Sequence, residues 1–396
     1  MRLRGQLAAL ALGLLLAACG RLIPEGRVPP PVSVTPPATA TSALLAGVKP
    51  GPGIGTLSFG ANDAATALAS FRESCPRHTT RADASGLTRP SDWQPACTTA
   101  ATWPSAQARR FFEEQFEAVQ VGDGKAFVTG YYEPEIAGVR LRQPEFDVPV
   151  YRMPPDLVRA KVGDAPPNEN GTQPLGRYDE TGTFVPYFER GQIEDGALMG
   201  KGLEIAWVAD PVELFFLQIQ GSGRLHAPDG TVLRIGYAGQ NGLPYTGIGA
   251  LMRQRGLVGA GTPYATSMQG LMQYIREHPE EGRAIMRENR SWVFFREITG
   301  DGPLGALNVP VRAQSSVATD PVFVPLGAPV WLDLDRPEAS GLWIAQDTGG
   351  AIRGSNRFDT FWGAGAEARQ VAGGMSGRGG AFILLPKGTL QRLGVQ

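Results

Sequence analysis

The chain has 396 residues, of which 42% are hydrophobic and 19% charged, with a net charge of -1. That length allows two domains, and 52 glycines with 33 prolines favour turns and strands over a helical bundle. No cluster of Lys and Arg stands out, which argues against nucleic acid as a partner, because phosphate binding needs a basic face.

The first residues read as a targeting segment. Arg2 and Arg4 precede an apolar run, Leu7 to Leu16, too short to span a bilayer. The run ends in Leu16-Ala17-Ala18-Cys19-Gly20, which resembles a bacterial lipoprotein signal with Cys19 as the lipidated residue. Residues 1–19 are then leader and anchor. An ordinary secretory signal with an incidental cysteine is the alternative. Gly20 in place of Asp implies, by resemblance to other bacterial lipoproteins, an outer-membrane anchor with the protein facing the periplasm. Residues 20–55, with Pro29-Pro30-Pro31 and Pro36-Pro37, read as an extended linker. Cys75 and Cys97 remain, an even pair that suits a disulfide in an oxidising compartment, with two free buried thiols as the alternative. His78, His226 and His278 are scattered and pair with no nucleophile motif. No metal site and no cofactor are expected.

Folded structure is expected from about Thr56. Helical patterns run over Asn62–Glu73, with Asn62 or Asp63 as cap, and over Ser105–Ala118, with Phe111, Phe112 and Phe116 on the buried face. Phe127 to Glu133 alternates as a strand that Pro134 ends. It carries Thr129, Gly130, Tyr131 and Tyr132, and strand geometry sends adjacent tyrosines to opposite faces. One can pack inside while the other lines a groove; both being structural is the even alternative. Asn168-Glu169-Asn170-Gly171 reads as a turn and Gly191–Leu198 as a short helix. Glu204–Val208 and Phe215–Gln220 read as strands. The second runs into Gly221-Ser222-Gly223 and then a hairpin partner, Val232 to Tyr237. Small residues beside Gln220 and Ser222 suit close approach by a polymer, although a plain turn is the commoner cause. Asn241-Gly242 is a turn. Helices are expected near 246–256, 267–277 and 280–288. From Val293 the chain reads as short strands with almost no helix: Val309–Val311, Pro321–Pro325, Val330–Leu334, Leu342–Ala345 and Phe382–Leu385. That pattern suits a small β-barrel.

The stretch Asp347 to Asp359 holds two carboxylates twelve positions apart, with Gly349, Gly350 and Gly354 between them. A Gly-Gly pair after a strand permits a sharp turn. A carboxylate pair on a barrel rim is the equipment of glycoside cleavage, provided one carries a proton at neutral pH. A solvated turn, with Asp347 bonding its own backbone, fits the same residues.

Taken in order, Thr129–Pro134, Pro149–Pro155, Gln220–Gly223, Tyr237–Gly242, Asn289–Phe295 and Asp347–Asp359 resemble the MltA family of lytic transglycosylases. The C-terminal part also resembles the three-aspartate, or 3D, domain, with Asp320, Asp347 and Asp359 as its aspartates. The resemblance implies a mainly β fold with a few helices. A double-psi β-barrel would be formed from both ends of the chain, residues 56–148 and 295–396, with a β-rich glycan-binding domain, 149–294, inserted. It implies Asp359 as catalytic acid and base and Asp347 as its support. Thr129, Gly130, Tyr131, Tyr132, Gln220, Gly221, Ser222, Gly223, Tyr237, Asn241 and Asp320 are expected along the glycan groove. Peptidoglycan glycan strands are the implied partner, with cell-wall synthesis or division proteins as further candidates. A two-carboxylate hydrolase and a catalytically silent glycan-binding lipoprotein remain the rival readings.

Overall fold

A computed structural model describes residues 41–168, 171–300 and 302–395. Cys19, the leader and most of the linker lie outside these residues, as do Glu169 and Asn170 of the expected turn. In chain order the strands are Val48–Pro50 (β1), Phe116–Val121 (β2), Lys125–Glu133 (β3), Glu135–Val139 (β4) and Val148–Tyr151 (β5). Val158–Arg159 (β6), Leu175–Tyr178 (β7), Phe184–Val185 (β8), Glu204–Val208 (β9), Ser222–His226 (β10) and Val232–Gln240 (β11) follow. Then come Val293–Glu297 (β12), Ser316–Thr319 (β13), Pro329–Leu334 (β14), Gly341–Asp347 (β15), Arg357–Ala364 (β16) and Ser376–Pro386 (β17).

The largest sheet runs β1-β2-β17-β14-β15-β13-β16-β3, and β17 also pairs with β3. That extra pairing closes β3, β13, β14, β15, β16 and β17 into a six-stranded ring. Closure leaves none of those strands with an open edge. The ring unites a strand from the first third of the chain with strands from the last quarter. Its parallel pairs are β13 with β15 and β16 with β3.

A second sheet runs β12-β11-β10-β4-β9-β5, and β6, β7 and β8 form a small third one. The second sheet starts at Glu135 and ends at Glu297, so the boundaries read at 149 and 294 fall inside it. Val293–Glu297 pairs with β11, not with the barrel.

Several local expectations change. Pro211–Gln220 is a helix, where Phe215–Gln220 was expected as a strand. Asp210 caps it by accepting from the N–H groups of Val212 at 2.7 Å and Glu213 at 3.3 Å. Pro211 opens the helix and Gly221 ends it in the left-handed region. Its apolar run is buried nearly all round, so it shows no clean helical stripe. The hairpin partner of Val232–Gln240 is therefore Ser222–His226. The Ser105 helix stops at Gln115, and Phe116 begins β2. Helix Ala61–His78 starts after Gly60, whose N–H donates to Asp63 at 3.3 Å. Val309–Val311 and Pro321–Pro325 form no strand, the Asp320 carbonyl instead accepting from the N–H groups of Phe323 and Val324 in a turn. Helix Gly365–Gly374 interrupts the tail. Folded structure also begins earlier, since Ala43 is fully buried and β1 pairs with β2.

Cys75 and Cys97 are bonded, with Cα atoms 5.5 Å apart, and tie helix Ala61–His78 to helix Pro90–Thr102. The main core packs these helices and the Phe71, Phe111, Phe112 and Phe116 cluster against the strands of the barrel.

Where β3 leaves the barrel, Glu133 is 1% exposed. Its carboxylate accepts from Arg224 of β10 at 2.9 Å and from Arg234 of β11 at 3.0 and 3.1 Å. The Pro134 carbonyl accepts the Arg224 N–H at 2.8 Å. One buried acid thus holds the second sheet to the end of a barrel strand. Glu133→Ala would leave two facing arginines without their shared anion. Chemical denaturation should show a loss of about 3 kcal/mol, with Glu133→Gln intermediate. A loss below about 1 kcal/mol would mean that solvent already satisfies the arginines.

Candidate active site

The barrel register sets four residues side by side. Asp347 of β15 pairs with Ala318 of β13, Ala318 with Asp359 of β16, and Asp359 with Thr129 of β3. Directly paired residues point to the same face of a sheet. Asp347 joins this row only because β15 is irregular: Ala345 pairs with Val317, and the next partner, Ala318, meets Asp347. Gln346 is the extra residue of a β-bulge. It is fully buried, its amide nitrogen donating to the Ser70 carbonyl and to Ser74 Oγ, each at 3.0 Å, while its oxygen accepts from Ser316. The two aspartates are two strands apart, so their Cα atoms are separated by about 10 Å.

Both carboxylates are partly exposed. Asp359 Oδ1 accepts from Thr129 Oγ1 at 2.5 Å, and Thr129 Oγ1 in turn accepts from Arg357 Nη2 at 2.8 Å. Burial pushes the Asp359 carboxyl up to about 6, with the Thr129 hydrogen bond and the Arg357 charge restraining the rise. Asp347 Oδ1 accepts from the N–H groups of Ala306 at 3.0 Å and Thr348 at 2.9 Å, and Oδ2 from the Tyr131 hydroxyl at 3.0 Å. Burial raises Asp347 to about 6 as well; these three donors oppose it and the Asp359 charge adds to it. The atoms around each group remove enough water to favour the neutral acid despite the opening to solvent.

The other expected groove residues divide. Tyr131 is 8% exposed and spends its hydroxyl on Asp347, and its ring lies 4.9 Å from Phe361. Tyr132 is 3% exposed and packs with Ala368 and Ala372 of helix Gly365–Gly374, so neither tyrosine presents a free face. At Gly130 a Cβ would lie 2.9 Å from Ala372 Cα, so this glycine serves close packing. Gln220 Oε1 accepts the Tyr132 N–H at 2.9 Å. Gly221 is a helix cap, Ser222 is buried, and a Cβ on Gly223 would meet Leu217 at 2.4 Å. Asn241 is 0% exposed; its amide nitrogen donates to the Phe188 and Arg290 carbonyls, each at 2.9 Å, and its oxygen accepts the Trp292 N–H at 3.0 Å. Asp320 is 4% exposed, and its carboxylate accepts from the N–H groups of Val322 at 3.1 Å and Gly354 at 2.8 Å, fixing the stretch between the two other aspartates. Asn241, Asp320, Tyr132 and Gly223 are buried, with their polar groups or their small size used inside the fold, whereas Gly130 is partly exposed. Thr129 and the half-exposed Tyr237 keep accessible positions.

Two residues went unread in the sequence. Arg357 follows Asn356 in the Asp347–Asp359 stretch and positions Thr129. Tyr245 lies beyond Asn241, in a loop that the second sheet sends towards the barrel; a Cβ on Gly350 would sit 3.7 Å from Tyr245 Cβ. Burial raises the Tyr245 phenol above its ordinary value, the Asp359 charge adds to the rise and Arg190 opposes it. Only the Pro244-Tyr245 pair after a turn could have signalled it.

The MltA specific insert domain matches residues 127–296, and the 3D domain matches residues 315–385. Membrane-bound lytic murein transglycosylase A of Escherichia coli K12 is 32% identical over 272 residues, a match spanning 66% of this chain and 66% of that protein. The crystal structure of a membrane-bound lytic murein transglycosylase from Agrobacterium tumefaciens superimposes with a TM-score of 0.76 at 31% identity, covering 87% of this chain and 99% of the other. The Escherichia coli MltA structure with bound chitohexaose gives 0.59 at 28% identity, covering 82% and 90%. The two matched domains and the shared fold place this chain in the MltA family of lytic murein transglycosylases.

Proposed function

We propose that this protein cleaves the β-1,4 bond between N-acetylmuramic acid and N-acetylglucosamine in peptidoglycan, with Asp359 as acid and then base. The observation that carries the reading is the Asp359 environment: burial lifts the carboxyl to about 6, and Thr129 and Arg357 stand ready for the anion. A carboxyl poised near neutrality can both give and take a proton. The glycan carried by the Escherichia coli relative supports a sugar polymer as the ligand.

In the first half, Asp359 gives its proton to the glycosidic oxygen, the C1–O bond breaks, and positive charge builds on the N-acetylmuramic acid C1. In the second, the Asp359 carboxylate takes the proton of that sugar's own C6 hydroxyl, whose oxygen bonds to C1. The product is a 1,6-anhydro end, and no water is consumed. Asp347 holds charge and shape through Tyr131 and the Ala306 and Thr348 amides. At about 10 Å between Cα atoms it is a neighbour whose own carboxyl the Asp359 charge helps to raise, rather than a partner sharing its proton. Tyr237 and Tyr245 offer aromatic surface to sugars on the side of the second sheet.

Asp359→Asn keeps the shape and removes the proton, so release of anhydro-muropeptides should fall at least about 10²-fold. In the wild type, the rate should drop about tenfold per pH unit above about 6, as the protonated acid is depleted. The folded value lies above the unfolded one, so the group's contribution to stability is full below about 4 and is lost as pH rises through about 6. Asp359→Asn should therefore melt higher than wild type at about pH 8 and lose that advantage by about pH 4. An active Asp359→Asn protein would move the acid to Asp347.

The family relatives are named as membrane-bound, and among the described residues no helix is long and apolar enough to cross a membrane. Lipidation of Cys19, with an outer-membrane anchor, is the proposed attachment. Cys19→Ala should free the enzyme from membranes with its activity unchanged; a variant that still sediments with outer membrane after a salt wash would overturn the anchor.

A further inference from the structure

A pocket away from the two aspartates is lined by Leu307, the chain neighbour of the Ala306 whose N–H donates to Asp347. It encloses about 30 Å³ beneath the loop that joins the two disulfide-linked helices, and it opens to solvent. Arg77, Arg81 and Arg89 line it beside the apolar surfaces of Trp93, Leu307 and Leu326.

The charge there is not balanced. None of the three arginines has an acidic partner among the described residues, although arginines elsewhere meet acids, as Arg109 meets Glu113 and Arg392 meets Asp92. The one carboxylate in the lining, Asp83, is already engaged by the hydroxyls and N–H groups of Ser85 and Thr88. His78, whose ring stacks 4.0 Å from that of Trp93, is kept neutral by burial, its pKa lowered to about 4. Three positive charges, all on exposed arginines, therefore gather around one negative charge, and together they attract a compact anion.

Hydrogen bonds link the pocket to Asp347. Arg81 Nη1 donates to the Ala306 carbonyl at 3.1 Å, and the Ala306 N–H donates to Asp347 Oδ1 at 3.0 Å. The Leu307 N–H donates to the Gln346 carbonyl at 3.2 Å. An anion on Arg81 competes with the Ala306 carbonyl for the guanidinium and loosens the segment that presents the Ala306 N–H to Asp347. Losing that donor makes Asp347 hold its proton more tightly.

We propose that this cavity binds a compact oxyanion, a carboxylate or a phosphate, on Arg77, Arg81 and Arg89, and that occupancy is transmitted to Asp347 through Ala306. The coupling rests on the proposed site, but its test does not use activity. Full-length protein is titrated with inorganic phosphate and, separately, with acetate, each against chloride at matched ionic strength. Calorimetry reads binding, and carbon NMR of labelled aspartate, assigned with Asp347→Asn, reads the Asp347 midpoint. At least one of the two oxyanions should bind where chloride does not, and which one binds identifies the chemistry. The exposed pair Arg77→Ala with Arg89→Ala should weaken it at least tenfold, and bound anion should move the Asp347 midpoint upward. If the pair misfolds, Arg89→Gln alone is read in the same way. Equal responses to chloride, or equal binding by wild type and variant, would overturn the site. Binding with an unmoved Asp347 midpoint would overturn the coupling.

Discussion

One extra residue in one strand sets the geometry of the whole site. Strand alternation alone would send Asp347 to the face opposite Asp359. The bulge at Gln346 restores it to the row that contains Ala318, Asp359 and Thr129. A bulge must be held in place, and here the buried Gln346 amide is bonded on both sides, to Ser70 and Ser74 of the long helix and to Ser316 of the neighbouring strand. Leaving such an amide unmatched would cost about 1–3 kcal/mol, so helix, bulge and aspartate are fixed together. The disulfide to the next helix adds a covalent tie to the same helix.

The carboxylates express a balance of two opposed effects. Burial favours the neutral acid, and hydrogen bonds and the Arg357 charge favour the anion. Neither effect wins outright, and both groups come to rest at about 6. A free aspartate would be ionised at neutral pH, and one buried without donors would stay protonated. The intermediate position suits a group that must act first as acid and then as base. The Glu133 clamp serves the same end at longer range, because it fixes the second sheet to β3, the strand that carries Thr129.

Much of this was legible in the residues. The Asp347–Asp359 spacing with its glycine turn announced two carboxylates on returning strands. The alternation of Phe127–Glu133 pointed to β3, and the paired cysteines to the bond. The helix at Pro211–Gln220 was misread because its apolar run is buried on nearly every side, and its Asp-Pro cap was the better signal. Asn241 and Asp320 stand in motifs that suggest groove contacts, yet a motif residue can owe its place to a buried hydrogen bond, as both do here. The bulge has no sequence signature at all: Gln346 looks like any polar residue in a strand until Ser70 and Ser74 are seen beneath it. Tyr245 and Arg357 act through tertiary placement, which spacing along the chain does not reveal.

The central claim is that one carboxyl group completes the cleavage using the sugar's own hydroxyl. Purified peptidoglycan digested with the wild-type enzyme, then treated with borohydride and analysed by mass, tests it most directly. The expected products are N-acetylmuramic acid ends lighter by one water than a hydrolysed end and resistant to reduction. Reducible ends carrying the full mass would show that water is the acceptor, and a two-carboxylate hydrolase would take the place of the single-carboxyl mechanism.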